Sequence, residues 1–173
     1  MITLTRQKVQ EEWGTILEAC QGEGEGLLQA VEARLTQLHP PDATWRRESM
    51  APNAVMGLAG KRRDGLVVAN GRFRDHRLCV FARDYGATLD VCWYLSGTTR
   101  GWILGLLARI PILNRFLNLV GILRNLDVFD LQDLRAWTTV VHEAVRHAVE
   151  EVKTKRHLEV ATDWKSRGMF GIS

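Results

Sequence analysis

His142-Glu143, with His147 following His142 at five positions, is the arrangement in this chain closest to a metal-binding signature. In H-E-x-x-H two imidazoles at i and i+4 share one helix face and the glutamate acts as base. Here the spacing is i and i+5, which sets the two rings about 140° apart around a helix, too far to close on one ion. We read both as surface or boundary residues, with His142 beside Arg146 at i and i+4. His39, His76 and His157 fall at expected element ends or turns and have no ligand spacing.

Cys20, Cys79 and Cys92 are odd in number and widely spaced, so they form neither a disulfide framework nor a zinc pattern and point to a reducing, cytoplasmic compartment. Cys79 and Cys92 would face each other across two strands in the register given below. We read them as two free thiols, with a redox pair as the alternative. The run Gly22-Glu23-Gly24-Glu25-Gly26 lacks the G-x-x-x-x-G-K-[ST] spacing, follows an expected helix and carries two carboxylates that would repel phosphate. Ser96 and Ser166 sit in a strand exit and a tail rather than a nucleophile elbow. Asp84, Asp90, Asp127, Asp130 and Asp133 each suit a turn or a helix cap. No catalytic residue, metal ligand or cofactor site is assigned, and the reading leans away from an enzyme.

Two sets of residues are better suited to binding. Arg72, Arg77, Arg83, Phe81 and Tyr94 have the composition of a platform for single-stranded nucleic acid or another polyanion, although the strand holding Phe81 lacks the clustered glycine and aromatic pattern of an RNA-recognition strand. The second set lies in the stretch from Gly101 to Leu123, GWILGLLARIPILNRFLNLVGIL. A spanning helix needs about 20 apolar residues. Arg109 and Arg115 would each cost about 2.5–3.5 kcal/mol at its centre, and Pro111, Asn114 and Asn118 add to that. Spanning is therefore disfavoured. Asn114, Asn118 and Asn125 instead form a narrow polar stripe after Pro111, opposite a wide apolar arc. Trp102, Leu106, Leu107, Leu113, Phe116, Leu117 and Val120 are the residues expected to meet the protein's own core, a protein partner or second copy, or a membrane surface.

These residues depend on the elements that carry them. Thr5 would cap a first helix marked by Val9, Trp13, Ile16, Leu17 and Cys20, which the glycine run weakens. Leu28, Val31, Leu35 and Leu38 mark a second helix ending before Pro40. From Trp45 to Ser96 the period falls to two, with turns at 60–65, 74–76 and 84–86, as in an antiparallel meander. A four-residue loop from Asp84 to Ala87 sets Leu78 opposite Trp93, Val80 opposite Val91, Ala82 opposite Leu89 and Cys79 opposite Cys92. A turn at Asp75-His76 sets Phe73 opposite Leu78, Gly71 opposite Val80 and Ala69 opposite Ala82. Asp130 caps a long helix striped by Leu134, Trp137, Val141, Ala144, Val145, Ala148 and Val152.

The expectation is one α+β domain over 1–173: N-terminal helices in 1–41, a meander of three to four strands in 44–96, an apolar helical segment in 101–125, a helix in 130–156 and a docked tail in 157–173. The helices cover one sheet face. The start of the chain has no basic end followed by an apolar run, so no signal peptide is expected. Charge is uneven: residues 46–125 hold 13 basic and 5 acidic side chains, against 3 and 7 in residues 1–45. A basic middle suits phosphates or anionic lipid. The expected function is non-catalytic interaction or adaptor work through the apolar segment, by protein association or membrane-surface contact. Polyanion binding through the basic sheet face is the alternative, and an enzyme of unassigned class the third.

Overall fold

A computed structural model of the chain describes residues 2–3, 9–51, 62–97, 128–158 and 165–168. The protein is α+β. Its sheet runs β1-β3-β4-β5-β6-β2-β7, with β1 at Ile2–Thr3, β2 at Val9–Leu17, β3 at Ala43–Ala51, β4 at Arg63–Asn70, β5 at His76–Tyr85, β6 at Thr88–Gly97 and β7 at Lys165–Gly168. The five longer strands form an antiparallel body, one strand more than the expected maximum; short β1 joins β3 in parallel and β7 joins β2 in antiparallel fashion. The helices are α1, Gly24–Leu38, and α2, Val128–Lys155.

The first expected helix is strand β2. Its inward residues are Glu11, Trp13, Thr15 and Leu17, all buried, while Ile16 points outward into solvent. Two of those inward positions are polar, which hid the period of two and left Val9, Trp13, Ile16 and Leu17 matching a helix. Pairing with β6 across the whole element, Trp13 opposite Trp93 and Leu17 opposite Leu89, overrides that local match. The glycine run opens α1 instead of weakening a helix before it: the Glu23 carbonyl accepts the Leu27 N–H at 2.8 Å. Gly22, at φ 86°, donates its N–H to both carboxylate oxygens of Asp84 at 3.1 Å, which ties this loop to the end of β5. At the other end His39 takes a left-handed conformation, its N–H bonds the Leu35 carbonyl, and Pro40 follows.

The hairpin registers also differ from expectation. Between β5 and β6, Tyr85 pairs with Thr88, so the loop is the two residues Gly86-Ala87, with Gly86 alone at positive φ, 63°. Glycine at the first central position is what a type II′ hairpin turn requires, and the Thr88 hydroxyl bonds the Tyr85 carbonyl at 2.8 Å. Val80 is therefore opposite Trp93, Leu78 opposite Leu95 and Ala82 opposite Val91. The shift is two residues, so the same side chains share a face. Between β4 and β5 the change is odd-numbered: Val68 pairs with Leu78 and Leu66 with Val80. Gly71–Asp75 form a longer loop, entered by an Asn70 side chain that accepts the Arg72 N–H at 2.9 Å and closed by His76 N–H to Phe73 O at 2.8 Å. Phe73 leaves the ladder but still reaches the core.

One core joins both helices to one sheet face. Leu27, Leu28, Val31 and Leu35 of α1 and Leu134, Trp137, Val141, Val145 and Val152 of α2 pack with Trp13, Leu66, Val68, Leu78, Val80, Val91, Trp93 and Leu95. Charged ties hold α2 at each end. Arg72 pairs with Asp130 at 2.9 Å and also with Asp133, while Glu23 receives Lys155 at 2.9 Å and Arg156 at 2.6 Å. Hydrogen bonds from Lys155, then from Arg156, hold the Glu23 carboxyl below the usual carboxylate range. The expected tail docks in part through β7, which pairs Glu11 with Gly168 and Gly14 with Lys165.

Candidate functional site

The sheet face away from the helices carries the first candidate set. The period of two brings Arg77, Cys79, Phe81 and Arg83 of β5 to this face, and pairing places Tyr94 opposite Cys79 and Cys92 opposite Phe81. Met50 and Val67 complete a small second core with Cys79, Phe81 and Cys92, and Tyr94 packs against it. Phe81 is only 7% exposed and meets Tyr94 edge-on, with ring centroids 6.0 Å apart. A stacking platform offers open ring faces; here the Phe81 ring is buried, edge-on to Tyr94 and among apolar neighbours. Arg83 stands opposite Asp90 in the ladder, a cross-strand placement of opposite charges.

Arg72 does not belong to this face. It sits in the β4–β5 loop, bound to Asp130 and Asp133, with its guanidinium 5.8 Å from the Phe73 ring centroid. The odd shift in the β4–β5 register, with the longer loop, separates it from Arg77 and Arg83. Cys79 and Cys92 share the face as diagonal neighbours instead of facing each other. Burial pushes the Cys79 thiol up to about 12 and the Cys92 thiol up to about 11. Thiols held this far into their protonated form are poor nucleophiles, and all three cysteines are free and buried.

His142 is the largest departure from the surface placement expected of it. It is 4% exposed, on the sheet-facing side of α2, edge-on to Trp13 at 5.1 Å and to Trp93 at 5.9 Å between ring centroids. Trp93 donates its Nε1–H to His142 Nδ1 at 3.1 Å, so that nitrogen is unprotonated and the ring is neutral. Burial lowers the His142 pKa; Glu143 works against the shift and Arg146 adds to it. What marks this burial in the sequence is only that His142 directly follows Val141 and lies three residues before Val145 of the apolar stripe. His147, five residues on, is half-exposed and pairs with Glu151 at 3.3 Å, on the other side of the helix as the spacing required.

A measurable consequence follows from the sign of that shift. Above about pH 6.5, the ordinary histidine value, folded and unfolded chains bind the same number of protons at this site. As pH falls through that value the unfolded chain takes up a proton that the folded core refuses, so stability declines. His76, whose pKa burial also lowers against the opposing charge of Asp75, adds a slope of the same sign. His142→Asn keeps an acceptor for Trp93 and cannot titrate. Urea midpoints at pH 5 and pH 7.5 are expected to differ less in this variant than in the wild type, and an identical difference would count against a neutral buried His142.

Trp102, Leu106, Leu107, Leu113, Phe116, Leu117 and Val120 lie outside the described residues. The chain is described again at the start of α2, where Val128 is 78% and Phe129 71% exposed, with Leu131 also at the surface. The sequence signal that marks these apolar residues is their position directly after the apolar stretch. Among the described residues no three His, Cys, Asp or Glu side chains are grouped to hold a metal ion, and no helix is long and apolar enough to cross a membrane. Comparison with protein-family models, with curated proteins and with solved structures finds no match to the chain.

Proposed function

We propose that this chain is a non-catalytic interaction protein that lies against an anionic membrane surface through the stretch from Trp102 to Leu123, continued by Val128 and Phe129. The observation that carries this reading is the exposure of Val128 and Phe129, at 78% and 71%, at the end of α2 that follows the apolar stretch in the chain. Sequence supports it. Between Asp90 and Asp127 there is no carboxylate side chain, while Arg100, Arg109, Arg115 and Arg124 are spread among apolar residues and Trp102. Arginine stems lie along an apolar surface while their heads reach phosphates. Burying a Phe or Val side chain is worth about 1.5–3 kcal/mol, and each arginine near an anionic leaflet adds about 1 kcal/mol. Three free, buried thiols support a reducing cytoplasmic location facing the inner leaflet.

Flotation tests the proposal. Wild type is expected to float with phosphatidylserine-phosphatidylcholine vesicles and to stay in the soluble fraction with phosphatidylcholine alone. Val128→Asp with Phe129→Asp, at solvent-exposed positions that leave the core intact, is expected to lose at least tenfold in vesicle affinity with an unchanged thermal midpoint. A wild type that stays soluble with both vesicle types overturns the membrane reading. A protein partner is then the occupant to seek, by crosslinking from position 129.

A further inference from the structure

We infer that the protein stands end-on against the bilayer, on one pole where the C-terminal end of α1 and the β4–β5 loop join the start of α2. This rests on the membrane reading above and adds Leu38 and Arg74 to its surface. Specific contacts bring the three segments together although they are far apart in the chain. Gly71 donates its N–H to the Asp42 carbonyl at 2.8 Å, and the Asn70 side chain donates to the Pro41 carbonyl at 3.0 Å, which fixes the loop beside the turn that ends α1. Arg72 reaches Asp130 at 2.9 Å and also Asp133, and the Phe73 and Trp137 ring centroids are 6.5 Å apart, which fixes the same loop beside α2. Gly97 pairs with His76, the first residue after the loop. The chain therefore leaves β6 and enters α2 at this pole, with the whole apolar stretch between.

Exposed apolar side chains gather at the same pole. Of the large apolar side chains exposed among the described residues, Leu38, Val128, Phe129 and Leu131 are here, while Ile16 and Tyr85 lie toward the opposite end. Tyr85 closes β5, which is ten residues long, so about 30 Å of strand separates it from the loop. A bilayer met end-on reaches the first set and not the second. Asp42 and Asp75 also lie at this end and Arg72 is engaged with α2, so the described cation offered to a phosphate layer is Arg74. It is exposed, donates from Nε to the Gly71 carbonyl at 3.3 Å and forms no ion pair among the described residues. The arginines of the apolar stretch supply the remaining positive charge. Apolar side chains beside arginine heads at phosphate level are the composition of an interfacial site.

Site-directed labelling tests the orientation. The three native cysteines are buried, so an environment-sensitive fluorophore is directed to a cysteine placed at one exposed position, by Leu38→Cys, Leu131→Cys or Tyr85→Cys. With phosphatidylserine-phosphatidylcholine vesicles the labels at positions 38 and 131 are expected to shift to the blue and to be quenched by a nitroxide lipid, and the label at position 85 to do neither. Leu38→Gln with Arg74→Gln is expected to weaken vesicle affinity about fivefold or more with an unchanged thermal midpoint, whereas Tyr85→Ser leaves the affinity unchanged. Labelled protein that floats without a response at position 38, or with one at position 85, overturns the end-on geometry and leaves the membrane reading standing. An affinity unchanged by the double variant does the same. Protein that does not float removes the membrane reading and this inference with it.

Discussion

Trp93→Ala is expected to lower unfolding stability by about 3–5 kcal/mol, the largest single-residue loss in the molecule. The indole is fully buried, beside Trp13 on β2, Val80 on β5 and His142 on α2. No neighbour can fill the space, because each belongs to a different element held by its own ladder or helix. A domain with about 5–15 kcal/mol in total would lose a large share of it, seen as a lower urea midpoint at constant slope. Trp93→Phe separates packing from hydrogen bonding. It keeps much of the volume and removes the Nε1–H, leaving His142 Nδ1 buried without its donor at a cost of about 1–3 kcal/mol. Replacing His142 by leucine in that background is expected to recover part of the loss, since neither polar partner is then stranded. If Trp93→Ala cost less than about 1 kcal/mol, the indole would not be the keystone of the α2 contact.

Gly65→Ala is expected to destabilise by about 1–3 kcal/mol or more, against the usual direction of this substitution, which shortens the list of unfolded conformations and stabilises where the site has room. There is no room at Gly65. A Cβ there would stand 2.5 Å from the Val80 carbonyl oxygen, 2.8 Å from Met50 Cε and 2.9 Å from Phe81 Cδ1. The two side chains can give way, but Val80 lies in the centre of the sheet and its carbonyl cannot retreat without opening β5. Truncating Met50 to alanine in the same chain is therefore expected to rescue little, as judged from the thermal midpoints of the single and double variants. Full rescue would show that the carbonyl is not the obstacle. In the sequence Gly65 looked like the end of a turn. It is instead the point where β4 and β5 approach without a side chain between them.

The part of the candidate surface that was legible followed from parity alone. Arg77, Phe81 and Arg83 had to share a face once β5 was a strand, and Tyr94 joined them in either β5–β6 register because the two differ by two residues. Arg72 was misplaced because the number of residues in a loop decides parity on its far side. Asn70 and Phe73 use backbone and side-chain hydrogen bonds to spend five residues on a turn that two could have made. His142 was misread for a different reason. A lone imidazole on a helix looks polar until a buried indole N–H supplies its partner, and that indole is 49 residues away in the chain.

By itself the sequence determined what local chemistry controls. It specified that the fold mixes helix and strand, that α1 stops at His39-Pro40, that α2 buries the stripe from Leu134 to Val152, and that β5 and β6 show one continuous apolar face. Each is a property of neighbours within a turn or a pleat, where propensity, capping and period act directly. Tertiary structure alone decided that Val9–Leu17 is a strand, that it pairs with β6 after a long excursion of the chain, that Met50, Val67, Cys79, Phe81 and Cys92 form a second core, and that His142 is buried and neutral. Those outcomes depend on which distant backbone satisfies an edge and which distant side chain fills a volume. The free energy of burial and of paired backbone groups settles both only when the whole chain has closed on itself.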